Sequence, residues 1–236
     1  DGISIPGRIT SLEDYQHAQS QQSFTANSTV LARENRRVRT VEHLMAALSM
    51  AGLDNVLIKA DEEIPNVDGS ALDFAQLLDE VGTVDQDAEV TEAVIREKLS
   101  IGEEDPEQKY LYVEPYDGFE VTMRVNYPPP ILEQQMTFNA EQDSFLNEIA
   151  PARSFNTFQN IDMAQKMGKV GSGYLNSHII IYDGKVINTE LRFADEFVRH
   201  KILDLIGDLF LLGYPLRSRV VANMPSHGYN QALVQK

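Results

Sequence analysis

Between Arg199 and Phe210 the chain reads RHKILDLIGDLF, an apolar helical segment that nevertheless carries a histidine, a lysine and two aspartates. The segment reads as a helix that starts near Ala194 and stops at Gly213, with Pro215 just beyond. A glycine past the end and a proline soon after it are ordinary stop signals. At 3.6 residues per turn His200 and Asp204 stack on one face, Asp208 continues the stripe, and Lys201 points about 100° away. A helix rich in Ile, Leu and Phe is expected to be buried. Burial of charged groups is costly unless they have partners. A His and an Asp one turn apart can share a metal ion. Alone, the spacing is explained as well by a solvated stripe or a satisfied core histidine, and a metal would need a third ligand and a base from elsewhere.

The rest of the chain alternates helical and strand patterns. Residues 1–37 read as short strands and loops. TVEHLMAALSMAG (40–52) reads as a helix with Thr40 as N-cap and Gly52 as stop, followed by NVLIKA as a strand. DEEIPNVDGSA is a loop, with Ser70 placed to cap the helix LDFAQLLDEVG. YLYVEPY and FEVTMRVNY alternate as two strands expected to form a hairpin through Asp117-Gly118. DSFLNEI and IDMAQKMG read as short helices, SHIIIYDGKVI as a hairpin closed by Asp183-Gly184, and SRVVANM as a strand. A His-bearing helix followed by a glycine and a strand occurs at 40–60 and again at 194–223. The expected fold is therefore α+β, in two domains of related build, each a mostly antiparallel sheet packed on helices. The first domain spans residues 1–92, an acidic linker and strand start covers 93–109, and the second spans 110–236, with a βαβ-like insert at about 156–186. The site is expected in the cleft between them.

Composition narrows the chemistry. The chain has 236 residues and no cysteine, so a metal would have to use His and carboxylate ligands. A net charge of −16 argues against nucleic acid as a partner, and an anionic ligand would need local cations. No apolar run is long enough to span a bilayer.

Of the five histidines, His43 stands in the first turn of its predicted helix, directly after Glu42. A general-base Glu next to a ligand His also occurs in the H-E-x-x-H metalloproteases. A helix N-terminus disfavours the protonated imidazole and keeps it free for a metal. Taken alone, Glu42-His43 reads as a surface pair and His227, in MPSHGYN, as a loop residue. His17 and His178 suggest no role. Taken together, His43, His200 and Asp204 form a two-His, one-carboxylate set, which suits zinc with an open position or non-haem Fe(II). Glu42 favours zinc and hydrolysis, because a hydrolase needs a base for its water.

TVEHLMAAL, EIPNVDGSA, ARSF, RFADEFVRHKILDLIGDL and SHGYN occur in the order found in the UDP-3-O-acyl-N-acetylglucosamine deacetylases, bacterial zinc amidases of lipid A biosynthesis. The chain resembles that family over nearly its whole length. The resemblance implies that His43, His200 and Asp204 hold Zn2+, or Fe2+ in its place, and that Glu42 is the general base. It implies that His227 is the cation that stabilises the oxyanion or protonates the leaving amine, with Asp208 orienting it. Lys201 would face substrate charge or the developing oxyanion, and Ser154, where the family usually has threonine, would keep a hydroxyl for the oxyanion. Phe155 matches, while Asn156 stands where glycine is usual. The insert would form an acyl-chain passage, with Phe158, Met163, Met167, Val170, Tyr174 and Leu175 as candidate walls beside Phe155. The implied substrate is a UDP-sugar bearing an acyl chain, and the implied protein is a cytoplasmic monomer. The chain is expected to lack the family's N-terminal strands and C-terminal end. The alternatives are a non-catalytic relative that binds metal or nucleotide sugar, and a truncated inactive fragment.

Overall fold

The computed structural model describes residues 2–13, 28–166 and 175–236. The architecture is α+β. The strands β1 (Leu31–Arg33) and β2 (Arg36–Val38) form a small antiparallel ladder that leads into α1 (Glu42–Met50). Thr40 does not cap that helix. It sits at φ 56, its hydroxyl donates to Glu63 at 2.9 Å, and Val41, already helical, is the cap residue. The strand expected at NVLIKA does not form. A strand exists only when its backbone is paired, and among the described residues none lies beside 56–60. Leu57 is left 82% exposed, and with Val56 and Ile58 it walls a groove of about 800 Å³ beside Ile5, Leu44 and Leu48.

The helix α2 (Leu72–Val81) follows the turn through Asp68-Gly69, where the Ser70 hydroxyl accepts the Leu72 N–H at 3.2 Å. Gly69 has φ 88, and a Cβ there would run into the Ser177 carbonyl.

The main sheet contains β3 (Ala93–Val94), β4 (Leu99–Ile101), β5 (Tyr110–Glu114), β6 (Phe119–Tyr127), β7 (Leu132–Asn139) and the C-terminal β11 (Leu216–Asn223). Its order is β4-β5-β11-β6-β7, with β3 beside the start of β11. The expected β5–β6 hairpin is therefore corrected. The chain does reverse through Asp117-Gly118, but β11 lies between the two strands, antiparallel to β5 and parallel to β6. Local alternation signals a strand and its turn, whereas the occupant of the gap is selected by packing: Val220 and Ala222 go inside with Val113, Val121 and Met123.

A second sheet holds β8 (Phe155–Thr157), β9 (Ile179–Tyr182) and β10 (Lys185–Val186), with α3 (Phe158–Lys166) following β8. β8 and β9 run parallel. β9 and β10 form the expected hairpin, with Asp183 at φ 48 and Gly184 at φ 66, the two positive values that a type I′ turn requires.

The segment that opened the sequence reading is α4 (Glu196–Phe210), and twelve of its fifteen residues are buried, so it forms an inner layer rather than an amphipathic surface helix. One side packs on β6 and β7 and another on α1. Its apolar residues Val198, Ile202, Leu205 and Ile206 join the main core with Val121, Val125 and Phe138. The chain ends in α5 (His227–Gln235), where the sequence suggested only a turn.

Candidate active site

Two helix termini and one helix face build the site. Gly207 on α4 faces the first turn of α1: a Cβ there would lie 3.1 Å from Glu42 Cα and closer still to the Glu42 carbonyl. The missing side chain lets the helices approach until Glu42 and His43 stand opposite the polar stripe. His43, His200 and Asp204 are all buried, and one ligand atom from each falls within 4.8 Å of the others. Asp204 Oδ1 lies 3.7 Å from His43 Nε2 and 3.4 Å from His200 Nε2. Ligand atoms on a tetrahedron with bonds of about 2 Å are roughly 3.3 Å apart, so the spacing fits zinc. Asp204 Oδ1 is also buried without a hydrogen-bond partner, while its Oδ2 accepts from Lys201 Nζ at 2.8 Å. An orphaned buried carboxylate oxygen facing two imidazole nitrogens fits a bound cation.

The electrostatics agree. Burial pushes His200 down to about 4, which keeps it neutral and able to ligate. Its Nδ1 lies 3.1 Å from the Ala152 carbonyl, so it carries the proton and leaves Nε2 toward the group. Burial opposes charge on Asp204, yet Lys201, His200 and His227 outweigh it and hold the carboxyl well below its usual range. Burial likewise opposes the Lys201 charge, and Asp204 more than restores it. The ARSF block earns its place here through Glu196, a fully buried residue. Its carboxylate accepts from Arg153 Nε at 2.8 Å, from Arg153 N–H at 3.1 Å and from Arg192 N–H at 2.6 Å, pinning the turn that carries the Ala152 carbonyl.

Glu42 is buried, which raises its pKa, and its Oε2 accepts the Thr29 N–H at 2.9 Å. On the other side, His227 is the first residue of α5 and is buried, not a surface loop residue. Its Nδ1 donates to Asp208 Oδ2 at 2.7 Å. Burial works against the imidazolium, but Asp208 and Asp204 prevail and push His227 up to about 9. Asp208 is fully buried and also accepts from Asn230 Nδ2 at 2.8 Å and from the Thr29 hydroxyl.

A cleft of about 400 Å³ opens onto this group, and Ser154, Phe155, His200, Lys201, Asp204 and His227 all border it. Phe155 stacks edge-on against Phe197 and His200, with ring centroids 5.0 and 6.1 Å away. His178, for which the sequence suggests no role, is buried and borders the same cleft. Phe158, Met163 and Leu175 are not brought to it. Phe158, Met163 and Leu175 are exposed, Phe158 with its ring edge-on to Tyr182. Met167, Val170, Tyr174 and His17 lie outside the described residues.

Sequence reasoning missed Thr29, Lys109, Tyr127 and Gln231. Lys109 and Tyr127 border the cleft, and Lys109 supplies a cation beyond Lys201 there. Asn230 was within reach, as the last letter of SHGYN, four residues into the final helix. Nothing in the local pattern around Thr29 distinguishes it.

An α+β chain with two buried histidines and an aspartate converging on one point, flanked by a buried glutamate and a His-Asp pair, has the makings of a hydrolase. Residues 7–236 match the sequence profile of LpxC, UDP-3-O-acyl N-acetylglycosamine deacetylase. The chain is 37% identical to the UDP-3-O-acyl-N-acetylglucosamine deacetylase of Campylobacter fetus subsp. fetus, over 89% of its own length and 71% of the relative's. It is 38% identical to the enzyme of that name from Thermodesulfovibrio yellowstonii (86% and 69% covered) and 39% identical to that of Neisseria meningitidis serogroup C (89% and 69%). The chain belongs to this deacetylase family.

Proposed function

We propose that this chain hydrolyses the N-acetyl group of UDP-3-O-(3-hydroxyacyl)-N-acetylglucosamine, releasing acetate, in lipid A biosynthesis. The observation that carries the reading is the unpartnered Asp204 Oδ1 between His43 and His200, with Glu42 on one side and the His227-Asp208 pair on the other. Zinc held by His43, His200 and Asp204 would supply Lewis acidity at the amide carbonyl and make water nucleophilic near neutral pH. Iron(II) is accepted by the same donors, so elemental analysis of the purified protein decides between them.

The protein's own groups do the rest. Glu42 takes a proton from the attacking water, and its raised pKa brings its basicity closer to neutral pH. His227, held protonated by Asp208, presents Nε2 to the cleft and delivers the proton to the departing sugar amine as the C–N bond breaks. Lys201 and the Ser154 hydroxyl are the candidate donors to the developing oxyanion. Lys109 at the cleft wall suits a diphosphate, which a chain of net charge −16 has to hold with local cations. Phe155 would pack on the substrate. The exposed apolar Phe158, Met163 and Leu175 on the insert suit an acyl chain.

A binding protein with no catalysis would need neither a buried base nor a protonated acid, and the combination favours an enzyme. The division into residues 1–92 and 110–236 is part of the same proposal and is checked by limited proteolysis across the acidic stretch between them. No helix among the described residues is long and apolar enough to cross a membrane. A cytoplasmic monomer is proposed on the family's reaction, to be checked by fractionation and light scattering. The deciding experiment is acetate release from the UDP-sugar by zinc-loaded protein. Zinc-loaded wild type that binds substrate and releases no acetate refutes the proposal in favour of a non-catalytic relative.

A further inference from the structure

Thr29 is fully buried and every polar atom it has is committed. Its N–H donates to Glu42 Oε2 at 2.9 Å, and its carbonyl accepts the Val41 N–H at 3.3 Å, one residue before α1 begins. Its hydroxyl donates to Asp208 Oδ1 and accepts from Gln231 Nε2 at 3.1 Å. The direction is set by chemistry: an ionised carboxylate only accepts and an amide nitrogen only donates. The Thr29 hydroxyl also lies 3.4 Å from His227 Nδ1, on the side where that nitrogen meets Asp208. The residue comes from a segment far from α4 and α5 in sequence and is not part of the cleft wall. It touches both halves of the proton-transfer apparatus without touching the space where substrate would lie.

We infer that Thr29 is a positioning residue that sets both proton-transfer groups of the hydrolysis at once, through its backbone N–H on Glu42 and its hydroxyl on the Asp208-His227 pair. This rests on the deacetylase reading above. The hydroxyl completes the shell around Asp208. With Thr29, Asn230 and His227 all donating to it, Asp208 has one arrangement, and His227 is held with Nδ1–H toward Asp208 and Nε2 toward the cleft. Without the hydroxyl, Asp208 Oδ1 and Gln231 Nε2 lose their shared partner in a buried site, and buried polar groups left unpaired reorganise to find another. Partners of this outer kind carry about 10- to 100-fold in activity when removed.

The test compares Thr29→Val, which keeps the shape and the backbone N–H but removes the hydroxyl, with Thr29→Ser, which keeps it. In the zinc-loaded protein, Thr29→Val is expected to lower kcat about 10- to 100-fold, with KM within twofold and zinc content unchanged. Thr29→Ser is expected to stay within about threefold of wild type. A merely structural role would not split kcat from KM in this way or be rescued by serine. The second readout needs no turnover: in 15N-histidine-labelled protein, the downfield Nδ1–H resonance of His227 should shift or exchange away in Thr29→Val and persist in Thr29→Ser. Wild-type kcat in Thr29→Val, an equal loss in Thr29→Ser, or an unmoved resonance in Thr29→Val overturns the inference. Should Thr29→Val not fold, Gln231→Met removes only the N–H that orients the hydroxyl. It is expected to cost about three- to tenfold in kcat, and an unchanged kcat there overturns the inference as well. Wild-type protein that releases no acetate refutes the deacetylase reading instead, and the resonance then decides the positioning role alone.

Discussion

Gly207→Ala separates stability from activity. The added methyl meets the backbone of Glu42, 3.1 Å from its Cα and nearer to its carbonyl oxygen, and neither is a flexible side chain that could swing aside. Ordinary contacts need about 3.5–4.0 Å, and the carbonyl oxygen lies far inside that distance, so α1 and α4 must part by more than about 1 Å. Overpacking of this kind costs about 1–3 kcal/mol. Alanine returns about 1 kcal/mol in a helix interior relative to glycine, leaving a net loss of about 0–2 kcal/mol. At this chain length each kcal/mol moves Tm by about 2–4 °C, so Tm should fall by no more than about 8 °C. Activity should suffer far more. The displacement moves Glu42 and His43 away from His200 and Asp204, and about 1 Å at a reacting centre can cost about 100-fold. The assays are a thermal melt and acetate release on the same zinc-loaded sample. If Gly207→Ala melts higher than wild type with unchanged kcat, helix propensity alone governs the position and the close approach of the two helices has no catalytic meaning.

The remaining expectations concern metal, base and pH. His43→Ala, His200→Ala and Asp204→Ala should each lower bound metal as measured by elemental analysis, and full stoichiometric zinc in two of the three would remove them from the ligand set. Glu42→Gln should keep its zinc and lose about 10²- to 10⁴-fold in kcat; loss of the metal as well would make Glu42 a ligand. The pH profile of kcat/KM should be bell-shaped, with an acid limb above the ordinary carboxylate range from Glu42 and a basic limb from His227. That basic limb should lie above the ordinary histidine value of about 6.5. Asp208→Asn should draw it down and leave the acid limb in place; a basic limb that survives His227→Ala removes His227 as its source. In chelated protein, His227 is raised from about 6.5 when unfolded to about 9 when folded. Its stabilisation is therefore fully present below about 6.5 and disappears as pH rises through 9. The melting temperature should fall across that window, and it should fall less in His227→Ala.

What could be read from the sequence followed the range of the interactions involved. The stripe on α4 was legible because His200, Asp204 and Asp208 are spaced by the helix itself, and the Gly213 stop and the Asp183-Gly184 turn are similarly local. Pairing in the sheet was not. Alternation in 110–127 identified two strands and a reversal, but β11 entered between them from a hundred residues away, which no local signal encodes. The run at 56–60 has strand composition and no partner among the described residues, so it forms no strand. Thr40 resembled an N-cap, yet the competing bond to Glu63 drew its side chain out of the helix axis. In the site, side chains with distinctive chemistry were recognised. Thr29 was not, because its role depends on contacts with Asp208 and Gln231, 179 and 202 positions away.

The place of β11 between β5 and β6 also sets the order in which the molecule can be made. Until residues 216–223 leave the ribosome, the facing edges of β5 and β6 have no neighbour, and His227 follows only four residues after that strand ends. Sheet closure and assembly of the proposed proton donor thus both wait for residues 216–227. Long-range, partly parallel pairing of this sort is slow, and it leaves strand edges open to other chains while it waits. Folding yield, more than final stability, should therefore be the quantity most sensitive to substitutions in β11. A chain stalled before residue 216 should be a client for chaperones rather than a partly active enzyme.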